Sequence, residues 1–228
     1  MNKSQYQKIE DYMRECMRDS AHDGEHIRRV LYTALDIAEH EGDVDYDILI
    51  TSCLLHDIGR QEQMRDPALC HAEVGSRKAY DFLLNIGWEE SRAAHVRDCI
   101  FTHRFRSGNP PRSIEAKILF DADKIDVAGA VGIARSLVYR GATVEPLYTL
   151  NPDGSVNDGS SAEPSFFREY QFKLKNIYGR FFTARGAEIG LQRRKAAEDF
   201  YAALLGEVRG SYENGLDRLT RILGDDAE

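Results

Sequence analysis

Apolar residues recur at helical spacing along most of the chain. Between residues 27 and 38 they stand three or four positions apart, and the pattern breaks near Gly42. Patterns of the same kind cover residues 71–85, 89–104 and 113–139. No segment alternates between apolar and polar residues over the length of a hairpin strand. The pattern therefore predicts an almost entirely α-helical, all-α protein.

The apolar run from Ile48 to Ile58 is ambiguous, because a buried strand and a buried helix both produce such a run. Asp45 or Asp47 could cap a helix at its start, and Gly59 could end it. The run is also long enough for about three helical turns. These three features favour a helix.

Turn-forming residues divide the chain. All six prolines fall between the helical patterns. Residues 141–164 are rich in Gly, Pro, Asn, Asp and Ser, which indicates a loop over a site or a linker. We therefore expect a helical core over residues 1–140 and C-terminal helices over residues 165–228 that pack on this core.

Composition narrows the classes of partner. A chain of 228 residues with 42% hydrophobic residues can fill one large domain, and its formal charge of −8 argues against tight binding to a nucleic acid polymer. A small phosphorylated ligand needs only a local basic cluster. The N-terminal stretch is polar and no run is long enough to span a bilayer. We expect a cytoplasmic protein with no membrane partner and with reduced cysteines.

Side chains of the kinds that bind metal ions stand inside or beside several apolar stretches. They are His22, His26, His56, Asp57, His103 and the aspartates of residues 121–126. Inward side chains from facing helices can assemble a metal site in a helical bundle. Adjacent helical residues such as His56 and Asp57 point about 100° apart, so an ion that both contact is expected in a cleft near the helix surface. His22 is interpreted as a helix cap.

Five sequence motifs follow one another in an order that resembles the HD-domain phosphohydrolase superfamily, and in particular its small bacterial branch of YpgQ-like proteins. They are "DGEHIRRV" (23–30), "HDI" (56–58), "HRF" (103–105), "EAKILFDADKIDVAGAVGIAR" (115–135) and "TARG" (183–186). The resemblance extends from about residue 19 to about residue 208. It implies an HD-domain helical bundle with a C-terminal helical extension.

The resemblance also implies a set of metal ligands. They are His26, His56, Asp57 and Asp123. Asp121 is the alternative to Asp123. Side chains two residues apart on a helix point about 200° apart, so only one of the two aspartates is expected to face the ion. The "AD" motif of the superfamily favours Asp123. Two imidazoles and two carboxylates with open positions suit Mn, Fe, Co, Ni or Mg better than a closed zinc site.

The expected reaction is hydrolysis at phosphorus, because a divalent ion held in this way lowers the pKa of a bound water and polarises a phosphoryl oxygen. His56 and Asp57 are the predicted catalytic residues. The general base stays open between Asp57 and Glu62.

Phosphate oxygens need cationic or hydrogen-bonding partners. The predicted substrate contacts are Arg29, His103, Lys124, Lys173, Lys175 and Arg185. His103 is equally a candidate ligand of a second metal, and His71 is interpreted as structural or as a support for the ligands. Arg104 stands where the branch more often has serine, a difference that falls in the expected substrate pocket.

The resemblance implies a nucleotide substrate, with pyrophosphate release from nucleoside triphosphates as the leading reaction. Hydrolysis of nucleoside monophosphates or other phosphoesters is an alternative. A nucleotide-binding sensor that keeps the HD site is another, although its expected sign, a missing ligand, is not seen. An all-α interaction module without chemistry is a third. The sequence leaves open which metal is physiological and whether the protein forms a homodimer.

Overall fold

The computed structural model describes residues 1–17, 24–104, 108–142 and 144–224. Its α-helices are α1 (Lys3–Cys16), α2 (Gly24–Ala38), α3 (Tyr46–Leu55), α4 (Arg60–Arg65), α5 (His71–Asn85), α6 (Glu90–Thr102), α7 (Ile114–Ile125), α8 (Gly129–Ala142), α9 (Phe166–Phe172) and α10 (Ala184–Leu223). A 3-10 helix covers Leu174–Gly179. In these ranges the only strand-like pairing is one isolated bridge, between Leu150 and Val156. The predicted all-α fold is confirmed.

Three residues of the sequence argument lie outside the described residues. They are His22, Asp23 and Phe105, and the C-terminal residues 225–228 also lie outside. Among the described helices, none is both long enough and apolar enough to cross a membrane.

Polar caps fix the starts of three helices. Asn2 and Gln5 form a reciprocal capping box at α1. Asp45 accepts hydrogen bonds from the backbone of Asp47 and Ile48, and Ser113 caps α7 in the same manner. The apolar run that was ambiguous between strand and helix is therefore helical. Asp45 is extended and caps the helix that begins at Tyr46.

Helix α3 lies at the centre of its neighbours. It contacts α1, α2, α5, α6 and α7, and apolar residues on all of its sides are buried. A helix that is apolar all round must be covered all round. The residues that follow α3 therefore leave the helix in the interior of the protein.

The chain forms two compact units. The first consists of Met1–Asp126 with Arg180–Ile189, and the second of Val127–Gly179 with the described residues from Gly190 onward. The N-terminal segment of the first unit therefore ends at Asp126, and the expected division at residues 140 and 165 stays a prediction. Hydrogen bonds explain why both segments belong to the first unit: Asp126 is bonded to His26 of α2, and Thr183, the residue before α10, is bonded to Asp121 of α7. The packing of the C-terminal helices on the core stays a prediction.

The second unit has its own apolar core. Phe166, Phe167 and Tyr170 of α9 pack in it with Tyr201 of α10. The pattern over residues 113–139, which predicted one helix, is divided between α7 and α8. Helix α8 begins at Gly129, whose φ of 65° lies in the left-handed region that interrupts a helix.

Candidate metal centre

His26 lies in the first turn of α2, on the same side as the apolar residues that this helix buries. Spacing of three and four residues places Ile27, Val30 and Ala34 in the core, and His26 points inward beside them. An imidazole in this position needs polar partners, because burying an unbonded polar group is costly.

His56 and Asp57 follow the last residue of α3. His56 caps the end of the helix, and Asp57 lies in the turn that leads to α4. Both side chains are 0% exposed. The expectation of a helix-borne pair at a surface cleft was therefore wrong in two respects: Asp57 is beyond the helix, and both groups are buried because α3 is surrounded by other helices.

Gly59 brings this turn directly against the start of α5. A Cβ atom on Gly59 would lie 2.3 Å from the carbonyl oxygen of His71 and 2.6 Å from the backbone nitrogen of Gly75. Real Cβ atoms do not approach backbone atoms so closely, so the position requires glycine. The main chain after Asp57 and the main chain at His71 are consequently in contact.

Helix α7 supplies both candidate aspartates, and the structure separates their roles. Asp121 accepts hydrogen bonds from the backbone of Phe182 and of Thr183 and from the Thr183 hydroxyl, at 2.7 to 3.1 Å. Gly186 donates to the same hydroxyl, and a Cβ atom on Gly186 would lie 2.6 Å from the Asp121 carboxylate. The "TARG" motif therefore anchors Asp121 and leaves Asp123 to face the histidines.

His26, His56, Asp57 and Asp123 converge on one small volume. The Nε2 atoms of His26 and His56 are 3.4 Å apart. His26 Nε2 lies 3.6 Å from Asp57 Oδ2 and 3.6 Å from Asp123 Oδ1. His56 Nε2 lies 3.8 Å and 4.0 Å from the same two oxygens. These distances place two nitrogen and two oxygen atoms around a space of the size that one ion needs.

The other ring nitrogens determine which atoms face this volume. His56 Nδ1 lies 2.8 Å from the carbonyl oxygen of Cys53, which can only accept, so Nδ1 carries the proton and Nε2 the lone pair. His26 Nδ1 lies 2.7 Å from Asp126 Oδ2. Asp126 in turn accepts from Arg29 at 2.7 and 3.2 Å. A carboxylate behind a histidine in this manner fixes the ring orientation that a metal ligand needs.

The charges of the cluster suit a cation. Burial lowers the pKa of His56 and keeps its imidazole neutral. Burial by itself raises the pKa values of Asp57 and Asp123, but Arg60 and the imidazoles near Asp57, and Lys124 and the imidazoles near Asp123, bring both well below the ordinary value. Both carboxylates are therefore ionised at neutral pH.

His26 has the opposite shift. Burial lowers its pKa, but the hydrogen bond to Asp126 and the charges of Asp57 and Asp123 outweigh burial and raise the pKa to about 9. A proton on His26 thus neutralises part of the negative charge of the neighbouring carboxylates. A metal cation bound in the same place would neutralise that charge instead.

Neither carboxylate oxygen of Asp57 accepts a hydrogen bond from the described residues. Its ion pair with Arg60 brings the guanidinium Nε within 3.0 Å of Oδ1, and 3.6 Å from His26 is too long for a hydrogen bond. Arg60 pairs with Oδ1, whereas Oδ2 faces His26 and His56 and accepts no hydrogen bond from the described residues, and a buried carboxylate oxygen in this position is expected to bind a cation. The residues present therefore fit a divalent metal.

Two more histidines lie on the far side of Asp57. His71 Nε2 is 3.3 Å and His103 Nε2 is 3.7 Å from Asp57 Oδ1. From the sequence, His71 was expected to be structural or supporting, and His103 was expected to contact phosphate or a second metal. The structure brings the two rings together, with their Nε2 atoms 3.3 Å apart.

The predicted substrate contacts differ in their surroundings. Lys124 lies beside Asp123 at 3.0 Å with its side chain 26% exposed, so it borders the cluster. Arg29 is held by Asp126 and supports His26. Arg185 pairs with Asp36 and Glu188, which engages the guanidinium away from the ligands.

Lys173 and Lys175 lie in the second unit, where they contact Glu169 at 2.7 Å and Gln171 at 3.4 Å. Their proposed part in substrate binding stays a prediction.

Sequence reasoning missed two residues of the centre. Asp126 was named only among the aspartates of residues 121–126 and was given no part in holding His26, although it follows Asp123 by three positions and so shares its helix face. Arg60 was not considered, although it follows Asp57 by three positions and pairs with it. Spacing could have indicated both.

The "HD domain" family model matches residues 23–128. The chain is also 30% identical over 212 residues to the Bacillus subtilis protein YpgQ. The aligned region covers 90% of this chain and 95% of YpgQ. The chain belongs to the HD-domain superfamily. His56 and Asp57 lie within the residues that the family model matches.

Solved structures agree with this assignment. The crystal structure of Bacillus subtilis YpgQ in complex with ADP superposes with a TM-score of 0.70 at 26% identity, covering 90% of this chain and 95% of that chain. An HD-superfamily hydrolase from Bacillus thuringiensis has a TM-score of 0.68 at 28% identity and covers 90% and 96%. This HD-domain chain is accordingly a hydrolase of that superfamily.

Proposed function

We propose that the protein is a metal-dependent phosphohydrolase of nucleotides, in which His26, His56, Asp57 and Asp123 hold a divalent cation. The observation that carries the proposal is the set of two imidazole nitrogens and two carboxylates around one buried volume, where Asp57 Oδ2 accepts no hydrogen bond from the described part of the chain. A divalent cation held there would activate water and polarise a phosphoryl oxygen.

The protein groups divide the remaining tasks. Asp126 and the Cys53 carbonyl hold the two imidazoles in the orientation for binding. Asp57 and Asp123 stay ionised at neutral pH, as the lowered pKa values indicate. Their position beside the candidate cation, and not their basicity, would make either one the acceptor for a proton of the attacking water, whereas Glu62 is bonded to Lys78 at 2.6 Å.

Two cations border the cluster and suit the phosphate chain of a nucleotide. Lys124 and Arg60 are each 26% exposed at the side chain and lie 3.0 Å from Asp123 and Asp57. Each side chain contacts solvent on one side and a carboxylate of the cluster on the other. A phosphate oxygen that enters from solvent could therefore bind both the metal cation and one of these two side chains. Arg60 and Lys124 are therefore the substrate contacts that we favour, ahead of Arg29 and Arg185.

A nucleotide is favoured over other phosphoesters because the relative YpgQ was crystallised with ADP. By the resemblance in sequence, hydrolysis of a nucleoside triphosphate with release of pyrophosphate is the leading reaction, ahead of hydrolysis of monophosphates. Mn, Fe, Co, Ni and Mg are the candidate cations, since mixed nitrogen and oxygen ligands accept each of them.

Product analysis tests the proposal. The metal-stripped chain is reloaded with Mn, Co, Ni or Mg and incubated with a panel of nucleoside mono-, di- and triphosphates, while phosphate and pyrophosphate are detected separately. We expect turnover that His56→Ala abolishes and that His40→Ala, a change at an exposed histidine, leaves intact. A metal-loaded protein that binds nucleotides without turnover would be a sensor instead, and one that binds no metal would refute the proposal.

A further inference from the structure

Phe182 is a large apolar residue that stays partly exposed in the first unit. It is 39% exposed, although it lies between Phe181, which packs against the core of that unit, and Thr183, which is buried. The proposed function gives this ring no task. An exposed aromatic ring close to a ligand site is a candidate contact for the ligand, because it offers a large apolar face at little cost in side-chain entropy.

The backbone around this ring is bonded to the two helices that flank the candidate metal. The N–H group of Phe182 donates to Asp121 of α7 at 2.9 Å. Three residues further on, Arg185 pairs with Asp36 of α2 at 2.9 and 3.0 Å. Each of these helices also carries a proposed metal ligand. The fold therefore sets the position of the ring relative to the metal centre, so that binding a ligand there needs little reordering.

The Phe120 ring connects Phe182 to the edge of the cluster. The two ring centres are 5.0 Å apart and the ring planes are 81° apart, which is an edge-to-face contact. Phe120 and Lys124 are four residues apart on α7, and the Lys124 ammonium lies 5.1 Å from the centre of the Phe120 ring. The same ammonium lies 3.0 Å from Asp123. The Phe182 ring is therefore no farther from this ammonium than the two separations taken together.

This arrangement suits a nucleotide, whose ribose and first phosphate place the base at a comparable distance from the phosphates that follow. We propose that Phe182 binds the base of the nucleotide, which stacks on the exposed part of its ring while Lys124 and the cation bind the phosphate chain. The inference rests on the proposed function and adds to it the residue that recognises the nucleoside part of the substrate.

The chemistry of the ring determines which part of a nucleotide it can bind. Phenylalanine carries no charge and no hydrogen-bonding group, so it cannot hold a phosphate oxygen. Every base has a π-face that stacks on such a ring, and this contact does not depend on the pattern of hydrogen-bonding groups at the edge of the base. Phe182 therefore selects nucleotides over phosphates without a base, and it favours purines only through their larger ring area.

Two probes that resist hydrolysis test the inference by binding alone. The full chain, loaded with Mn²⁺, is titrated in a calorimeter with α,β-methylene-ADP and with methylenediphosphonate, which has the same phosphonate groups and no nucleoside. Phe182→Ala should raise the Kd of α,β-methylene-ADP by about 10-fold, as loss of one stacked base does. The Kd of methylenediphosphonate and the Mn²⁺ content should not change.

Two further variants separate stacking from bulk. Phe182→Tyr keeps the aromatic ring and should bind α,β-methylene-ADP like the wild type. Phe182→Leu keeps an apolar side chain without a π-face and should bind it about as weakly as Phe182→Ala. Phe101→Ala, at a phenylalanine of α6 that is 45% exposed, is the matched control and should change neither affinity.

The outcomes also separate this inference from the proposed function. An unchanged affinity of Phe182→Ala for α,β-methylene-ADP, an equal loss of affinity for both probes, or wild-type binding by Phe182→Leu would overturn the base contact. A wild type that releases neither phosphate nor pyrophosphate from any nucleotide, but binds α,β-methylene-ADP with the expected dependence on Phe182, would refute hydrolysis and support the base contact. Nucleotide turnover with the same KM in the wild type and in Phe182→Ala would do the reverse.

Discussion

Asp121 and Asp123 lie two residues apart on α7 and have opposite surroundings. Asp121 accepts N–H and O–H donors from Phe182 and Thr183, whereas Asp123 Oδ1 faces the ring nitrogens of His26 and His56. Burial raises the pKa of Asp121, while the Lys124 ammonium and the imidazoles outweigh burial at Asp123 and lower its pKa. The partners of a carboxylate, more than its burial, thus separate a structural group from a candidate ligand.

The largest expected effect is at Asp123. Asp123→Asn should lower kcat/KM by about 100-fold or more, because an amide oxygen is a much weaker ligand than a carboxylate. The free energy of unfolding should change little, since among the described residues the Asp123 carboxylate accepts a hydrogen bond from Lys124 of the same helix and from no other element. Chelator competition and chemical denaturation check the two expectations, and a fully active variant would reverse the roles of the two aspartates.

Asp121→Ala should have the converse effect. Loss of the hydrogen bonds to the Phe182 and Thr183 backbone and hydroxyl should lower the free energy of unfolding by about 2–4 kcal/mol. The folded fraction should keep its metal content. Urea denaturation measures the loss against Asp217→Ala, a change at an exposed aspartate of α10. A stable variant without metal would contradict the anchoring role.

Asp126→Asn should weaken metal binding by about 10–100-fold, as changes behind a metal-ligating histidine do. The amide keeps the shape of the carboxylate, but His26 Nδ1 loses its charged hydrogen-bond acceptor. Arg29 also loses its ion pair with Asp126. Isothermal titration with Mn²⁺ measures the change. Asp36→Asn, which alters another aspartate paired with an arginine, is the matched control.

The smallest expected effect is on the pH dependence of the metal-free protein. The pKa of His26, raised to about 9 against an ordinary 6.5, means that the folded chain binds a proton that the unfolded chain has lost. This stabilisation is complete below pH 6.5 and disappears as pH rises through 9, with a slope of about 1 kcal/mol per pH unit. Denaturation of the wild type and of His26→Gln over this range gives the difference, which should vanish if the His26 pKa is ordinary.

The sequence predicted much of the fold because helical periodicity and caps are local properties. The boundaries of α5 match the predicted range, and Asp45 decided the ambiguous run of α3. The order of motifs also indicated which four side chains come together. The division after Asp126 was not predictable in this way, because it depends on contacts between segments far apart in sequence, such as Asp121 with Thr183.

The burial of the centre was also beyond the local pattern. His56 and Asp57 were expected to contact an ion in a cleft near the helix surface, but α3 is enclosed by five helices, so its end is interior. Likewise, the positive charge of Arg29 and Arg185 suggested phosphate binding, whereas their partners Asp126 and Asp36 are 97 and 149 positions away. Only the three-dimensional arrangement shows that these charges are already engaged.

Gly59 has a consequence for how such a centre can change over time. Because the turn after Asp57 touches the main chain of α5, the distance from Asp57 to His71 is set by backbone contact and not by their side chains. Ligand residues can then be exchanged one at a time without moving the frame that carries them. Related proteins could thereby differ in these side chains, and in the cation that suits them, while the backbone between this turn and α5 stays the same, provided that position 59 stays glycine.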